Sequence, residues 1–331
     1  MSSGVSFHGN ESRTYDHGYT FDPAHGFHPN ALLDIEPPPE PSDFRRFWET
    51  YYERVRDHDP RPEMRASPLS VPRGKVYDVF YTAHDGIRLH AWLTLPGTRK
   101  IRRGYVNGHG YGGRTAPDSW LPSDDAAGFF PSARGISTSR CPQIPENPHE
   151  HVLHGIHARD EYILGRCAAD FWTATTVLGM LVPEATGRID FVGVSFGGGV
   201  GMLALPWDER LTGAHLRVPS FGHYPFRLRL PCTGSGRAVS EHVARNPEAV
   251  DLLRYFDAAI AAKHVRVPIH VAAALFDPVV PPAGQFAIYN AIPGDKELFI
   301  LHAGHFDHPE ERHDIVTLHE VLEQFFADKS P

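Results

Sequence analysis

Ser195 lies in Gly193-Val194-Ser195-Phe196-Gly197, a Gly-x-Ser-x-Gly pattern. A serine hydroxyl is a weak nucleophile until a base takes its proton, so the pattern carries chemistry only with partners. The glycines remove Cβ atoms where a strand and a helix would crowd. The serine can then take a strained turn with its hydroxyl projecting. The flanks fit: residues 189–194 are a short apolar run that reads as a buried strand, and residues 198–205 read as an apolar helix. The competing reading is a Gly-rich turn that merely contains serine. The partners decide between the two.

Asp277 directly follows the apolar run 268–275 and precedes Pro278-Val279-Val280-Pro281-Pro282. His305 follows the apolar run 297–301, after Gly304, whose missing Cβ permits a tight loop. Nucleophile, acid and base in the order Ser195, Asp277, His305 match the chain order of α/β-hydrolases. Each follows a predicted strand, so all three would gather at one edge of a parallel sheet. His305 would take the proton of Ser195 and return it to the leaving group. Asp277 would hold the imidazole tautomer and stabilise the imidazolium. His302, His308 and Asp307 are neighbouring rivals. After a predicted strand at 104–107 comes Gly108-His109-Gly110-Tyr111-Gly112-Gly113. In this arrangement such a loop supplies one oxyanion-hole donor, assigned to the backbone N–H of Tyr111; the N–H of Phe196 is the second.

The remaining elements must position these groups. Phe44, Phe47, Trp48, Tyr51 and Val55 fall on one face of a predicted helix behind Ser42 or Asp43 as cap. Residues 76–81 and 89–95 read as strands around a His84-Asp85-Gly86 turn, and 128–133 as a fourth strand. Residues 137–150, with Pro142, Pro145 and Pro148, form a loop. A long helix with an apolar stripe covers 158–181, and 211–218 is the sixth strand. Residues 219–262 then break the alternation. They carry Tyr224 and predicted helices near 237–245 and 247–262, an insertion that would wall the pocket. A helix over 311–327 closes the chain. The expected fold class is α/β: a mostly parallel central sheet flanked by helices, with a helical insertion after the sixth strand. Residues 36–331 form that domain, and residues 1–35 form a polar, extended N-terminal arm ahead of the proline-rich stretch 36–41.

The 331 residues, 41% hydrophobic with 30 Gly and 30 Pro, suffice for one large domain. The net charge of −8 is interspersed, with no basic stripe, which argues against nucleic acid as a partner. No apolar run approaches the roughly 20 residues that cross a bilayer, so no membrane partner is expected. Met1 to His8 lacks a basic-then-apolar leader, which predicts a cytoplasmic location. Cys141, Cys167 and Cys232 are scattered and read as free thiols. With 22 histidines, chance clusters are expected. His149, His151, His154 and His157 crowd one segment but fit no metal motif, and no metal or cofactor is expected. His8, His17, His25 and His28 read as exposed.

From about residue 36 onward the chain resembles the acetyl xylan esterase and cephalosporin C deacetylase family, carbohydrate esterase family seven. The likeness runs through the proline-rich lead into Asp43-Phe44-Arg45-Arg46-Phe47-Trp48, His109-Gly110-Tyr111, Arg134-Gly135, Gly155-Ile156 and Tyr162. It continues through the Ser195 turn, Tyr255-Phe256-Asp257, Asp277 with Pro281-Pro282, and Gly304-His305. The resemblance implies an α/β-hydrolase fold and a metal-independent serine esterase that deacetylates small sugars and antibiotic side chains. It also implies a homo-oligomer, often a hexamer with active sites facing an internal chamber. The family signature Arg-Gly-Gln, Gly-x-Ser-Gln-Gly, His-Glu becomes apolar here at Ile136, Phe196 and Phe306. Losing a buried polar network whole is cheaper than losing part of it. The expectation is that the three meet near the nucleophile and pack, which makes Ile136 and Phe306 substrate-binding candidates beside Tyr224 of the insertion. The expected function is serine-dependent hydrolysis of a small-molecule ester, as a deacetylase or short-chain deacylase of an acetylated sugar or secondary metabolite. The alternatives are lactone or thioester hydrolysis, acyl transfer, or an idle scaffold that binds a ligand.

Overall fold

Three six-residue runs, Arg103–Gly108, Ala126–Pro131 and Ile269–Ala274, are buried at every position. That is the mark of strands covered on both faces. The computed structural model describes residues 5–6, 15–72, 74–97 and 100–328. Among these, ten strands form one sheet: β1 (Val5–Ser6), β2 (Glu63–Ala66), β3 (Gly74–Thr82), β4 (Arg88–Pro96), β5 (Arg103–Gly108), β6 (Ala126–Pro131), β7 (Ile189–Val194), β8 (Leu211–Arg217), β9 (Ile269–Ala274) and β10 (Lys296–Leu301). Their order in space is β1-β10-β9-β8-β7-β5-β6-β4-β3-β2. Neighbours from β1 through β6 are parallel, and those from β6 to β2 are antiparallel.

One face carries the main core under the helices Phe44–Arg56, Ile163–Leu181, Phe196–Ala204 and Pro282–Ala291. Phe44, Trp48, Tyr51 and Val55 bury the expected stripe of the first of these. The other face is covered by Glu311–Asp328, whose Leu318, Leu322, Phe325 and Phe326 pack on Tyr105, Ala272 and Phe299. No helix among the described residues is long and apolar enough to cross a membrane.

Several expectations change. Two edge strands were not anticipated. β2 is exposed at all four positions, so it shows no apolar alternation, and β1 is only two residues long. The insertion therefore follows the eighth strand rather than the sixth. The helix expected over 247–262 is split into Ala249–Leu253, a 3₁₀ turn at Arg254–Phe256, and Ala258–Ala262. Asp257 restarts it: its carboxylate accepts the N–H of Ala259 at 2.9 Å as an N-cap. The diproline at 281–282 opens the helix Pro282–Ala291, because a proline in the first turn gives up an N–H that has no helical acceptor.

The arm is packed where it is described. Val5 and Ser6 pair with Leu298 and Phe299 of β10. The short helix Pro29–Leu33 is tied down by Asn290 Nδ2, which donates to the carbonyls of Leu32 and Ile35 at 2.9 Å each. His17 and His25 are half-buried rather than exposed, and His28 is exposed. His8 lies outside the described residues. All three cysteines are free.

Candidate active site

Ser195 joins β7 to the helix Phe196–Ala204 with φ 54° and ψ −115°, outside the regions open to ordinary side chains. Such a conformation costs about 1–3 kcal/mol and persists only where the surroundings hold it. They do: the Ser195 N–H donates to Arg217 O at 2.8 Å, and Ser195 O accepts the N–H of Gly199 at 2.9 Å and of Ser220 at 3.0 Å. The neighbouring Gly197 donates its N–H to His109 O at 3.0 Å. A Cβ on Gly197 would sit 2.5 Å from the carbonyl carbon of Gly108, so the glycine is what lets the 108–113 loop press against this turn.

The three side chains gather as the chain order demands. His305 Nε2 is 2.8 Å from Ser195 Oγ, and His305 Nδ1 is 2.8 Å from Asp277 Oδ2. Asp277 is fully buried. Its Oδ1 accepts the N–H groups of Val279 and Val280 at 2.9 Å each, and its Oδ2 also accepts Gln285 Nε2 at 2.9 Å. These bonds replace the water a buried carboxylate has lost. Gly304 is required at its position, because a Cβ there would lie 2.5 Å from Asp277 Oδ2. Burial disfavours the charged imidazolium of His305, but the Asp277 charge and hydrogen bond outweigh it and raise its pKa above the usual histidine value. The rival histidine is otherwise engaged: His302 Nδ1 lies 2.9 Å from Asp314 Oδ1. His308 Nε2 is 3.9 Å from Asp314 Oδ2, and Asp307 is exposed.

No backbone acceptor among the described residues takes the N–H of Phe196 or of Tyr111. Phe196 opens its helix, where donors are left without helical partners and the dipole favours negative charge. The 108–113 loop faces the nucleophile: a Cβ on Gly110 would be 3.6 Å from that of Ser195. Chemically, a carboxylate-held imidazole hydrogen-bonded to a serine hydroxyl can take that hydroxyl's proton.

The Tyr111 loop is braced by residues whose types and spacing gave no role at the site. Tyr111 Oη is 3.3 Å from His151 Nδ1, and His151 Nε2 donates to Arg134 O at 3.0 Å. Burial pushes the His151 pKa down to about 4, so the ring is neutral. The fully buried Arg134 holds Asp170 by two bonds, at 2.7 and 2.6 Å, and Asp85 at 2.6 Å. The available signal was Asp170 inside the apolar stripe of its helix. Gln285 had a similar one, as a lone amide within Pro-Ala-Gly-Gln-Phe-Ala-Ile. His151 gave none, standing among other histidines. His149 is exposed, and His157 Nε2 is 2.8 Å from Glu161. Among the described residues no group of three His, Cys, Asp or Glu could hold a metal ion.

The expectation that Ile136, Phe196 and Phe306 form one cluster is overturned. The Phe196 ring is buried against Tyr111, His151 and Phe221, with centroids 4.2, 5.8 and 6.1 Å away. Phe306 packs instead with Phe276, Tyr15 and Tyr19, at 5.0, 5.5 and 6.4 Å. Ile136 is buried under the 108–113 loop; its Cγ2 is 3.2 Å from where a Gly113 Cβ would be. Phe306 follows His305 in the loop after β10, but its ring lies with the arm and Phe276 while the His305 ring reaches Ser195. Tyr224 is buried at the start of the insertion, its N–H donated to Asp257 Oδ2 at 2.7 Å.

The sequence model of the acetyl xylan esterase (AXE1) family matches residues 36–317. The acetyl esterase Axe7A of Xylanibacter ruminicola is 24% identical over 151 residues, 45% of this chain, and the match spans only 34% of that protein's length. Among solved structures, the acetyl xylan esterase from Paenibacillus sp. R4 superposes with a TM-score of 0.78 at 22% identity, covering 89% of this chain and 99% of that one. Acetyl xylan esterase 1 from Thermoanaerobacterium sp. JW/SL YS485 gives 0.78 at 21% identity, covering 94% and 100%. The fold is that of these α/β-hydrolases.

Proposed function

The chain belongs to the acetyl xylan esterase family, and from that premise we propose that it is a serine-dependent carboxylic-ester hydrolase that removes acetyl or another short acyl group from a small molecule. The observation that carries this reading is the linked pair of 2.8 Å contacts from Ser195 Oγ through the imidazole of His305 to Asp277.

In this reading His305 Nε2 accepts the hydroxyl proton as Ser195 Oγ attacks the ester carbonyl. The N–H groups of Phe196 and Tyr111 take the negative charge that develops on its oxygen, each worth roughly 3–4 kcal/mol of barrier. His305 returns the proton to the departing alcohol and leaves an acyl-serine. Water, deprotonated by the same imidazole, then releases the acid. Asp277, its charge fixed by Val279, Val280 and Gln285, keeps Nδ1 protonated throughout. The family likeness further supports a homo-oligomer acting on an acetylated sugar, and the apolar replacements at Ile136, Phe196 and Phe306 favour a secondary metabolite as the alternative. Light scattering after size exclusion tests the assembly.

The test is hydrolysis across 4-nitrophenyl esters from acetate to octanoate, beside Ser195→Ala. Activity greatest on acetate and abolished in the variant is the expected result. Activity that survives Ser195→Ala, or no activity together with no labelling of Ser195 by a fluorophosphonate, refutes the reading.

A further inference from the structure

A cavity of about 370 Å³ opens on the sheet face away from the helix Phe196–Ala204, under Glu311–Asp328. Val194 and Gly110, which flank the nucleophile in sequence and in space, both line it. So do two arginines that the proposed reaction does not use, Arg114 and Arg217.

Arg114 has a side chain only 6% exposed, its guanidinium 5.2 Å from the centre of the Phe130 ring. Its Nε and Nη1 are buried with no hydrogen-bond partner. Its one ion pair among the described residues is a long contact of 3.8 Å from Nη2 to Asp118, whose side chain is 58% exposed. Arg217 is half-buried with no carboxylate in salt-bridge range among the described residues; Asp118 and Glu311 reach it only at longer range. Arg217 also lines a second cavity, of about 250 Å³, that His305 borders, and its carbonyl holds the Ser195 N–H. Arg217 therefore borders both cavities.

Buried polar groups in folded proteins are nearly always paired, and an unpaired buried cation is costly. The two orphaned nitrogens of Arg114 and the half-buried Arg217 line one space large enough for part of a small molecule, and together they point to an anion as its occupant. The planar fork of arginine matches the paired oxygens of a carboxylate or phosphate. We infer that this cavity is a subsite for an oxyanion, carboxylate or phosphate, carried by the alcohol half of the ester, with Arg114 and Arg217 as its binders. This rests on the ester-hydrolase reading for its place in catalysis. The binding itself does not depend on that reading.

Two measurements separate the two. The first compares kcat/KM for 4-acetoxybenzoate with its methyl ester, and for acetylglycerol phosphate with acetylglycerol. A preference of roughly tenfold or more for the charged member of either pair is expected, shrinking in Arg114→Gln and Arg217→Gln and partly kept in Arg114→Lys. The better pair identifies carboxylate or phosphate. The second titrates inorganic phosphate and benzoate into the protein by calorimetry, with melting curves to show that each variant is folded. Saturable binding of either anion that Arg114→Gln abolishes and Arg114→Lys weakens less supports the site. No anion binding, or binding and preference indifferent to both arginines, overturns it. If no ester is cleaved, the hydrolase reading falls and the calorimetry alone decides the site.

Discussion

At the scale of single residues, the proposed chemistry turns on the charge of His305. Only the neutral ring accepts a proton from Ser195. Its pKa is raised above about 6.5, so kcat/KM is expected to climb with pH through an acid limb above that value. Asp277 is what overcomes burial, so Asp277→Asn moves that limb to lower pH and lowers kcat/KM by roughly 10⁴. A pH–rate profile of both proteins checks this, and limbs that coincide would sink it. Stability runs the other way. With its folded pKa raised, protonated His305 contributes fully below about 6.5, and the contribution is lost as pH rises through the folded value. The difference in melting temperature between native protein and Asp277→Asn should therefore narrow as pH increases from acid to neutral. Ser195, Asp277 and His305 stand out in the sequence because each comes within four residues of the end of an apolar strand run. Gln285 and His151 could not be assigned, since their partners lie across loops whose packing no local pattern encodes.

Among the elements, the insertion depends on one carboxylate. Asp257 accepts the N–H groups of His223 at 2.9 Å, Tyr224 at 2.7 Å and Ala259 at 2.9 Å, so it caps the helix Ala258–Ala262 and ties it to the chain at 223–224. Burial raises its pKa to about 6, the penalty for desolvating the charge that holds these donors. Asp257→Ala strands three buried donors and is expected to cost about 2–4 kcal/mol, read as a lower urea midpoint. Tyr224 sits on this hinge of bonds, so KM should rise along with the loss of stability. A variant as stable as the native protein would show that the helix stands without the cap. The apolar runs marked both helical regions, but they read through residue 257 as one helix. Only the docking of 223–224 against Asp257 accounts for the break.

For the whole molecule, the arm and the domain share the machinery. Pro23 O accepts the Asp277 N–H at 3.3 Å, and Tyr15 and Tyr19 cover Phe276 and Phe306. The double substitution Tyr15→Ala with Tyr19→Ala is expected to cost about 2 kcal/mol and to lower kcat/KM, because the 276–280 loop that fixes Asp277 loses its cover. Calorimetric melting and kinetics with a 4-nitrophenyl ester test this; unchanged values for both would make the arm an appendage. What the sequence by itself determined is the α/β alternation, the strand runs, the aromatic stripe at 44–55 and the order of serine, acid and base. All of these are written in short apolar runs, in the 3.6-residue helical period and in chain order. What only the tertiary structure decided is which side chains become neighbours: Phe306 with the arm rather than with Phe196, Tyr111 with His151, and Arg114 with Arg217 around one cavity. Those pairings follow from loops packing across the sheet edge, and contacts between residues 40 to nearly 300 positions apart leave no local pattern in the chain.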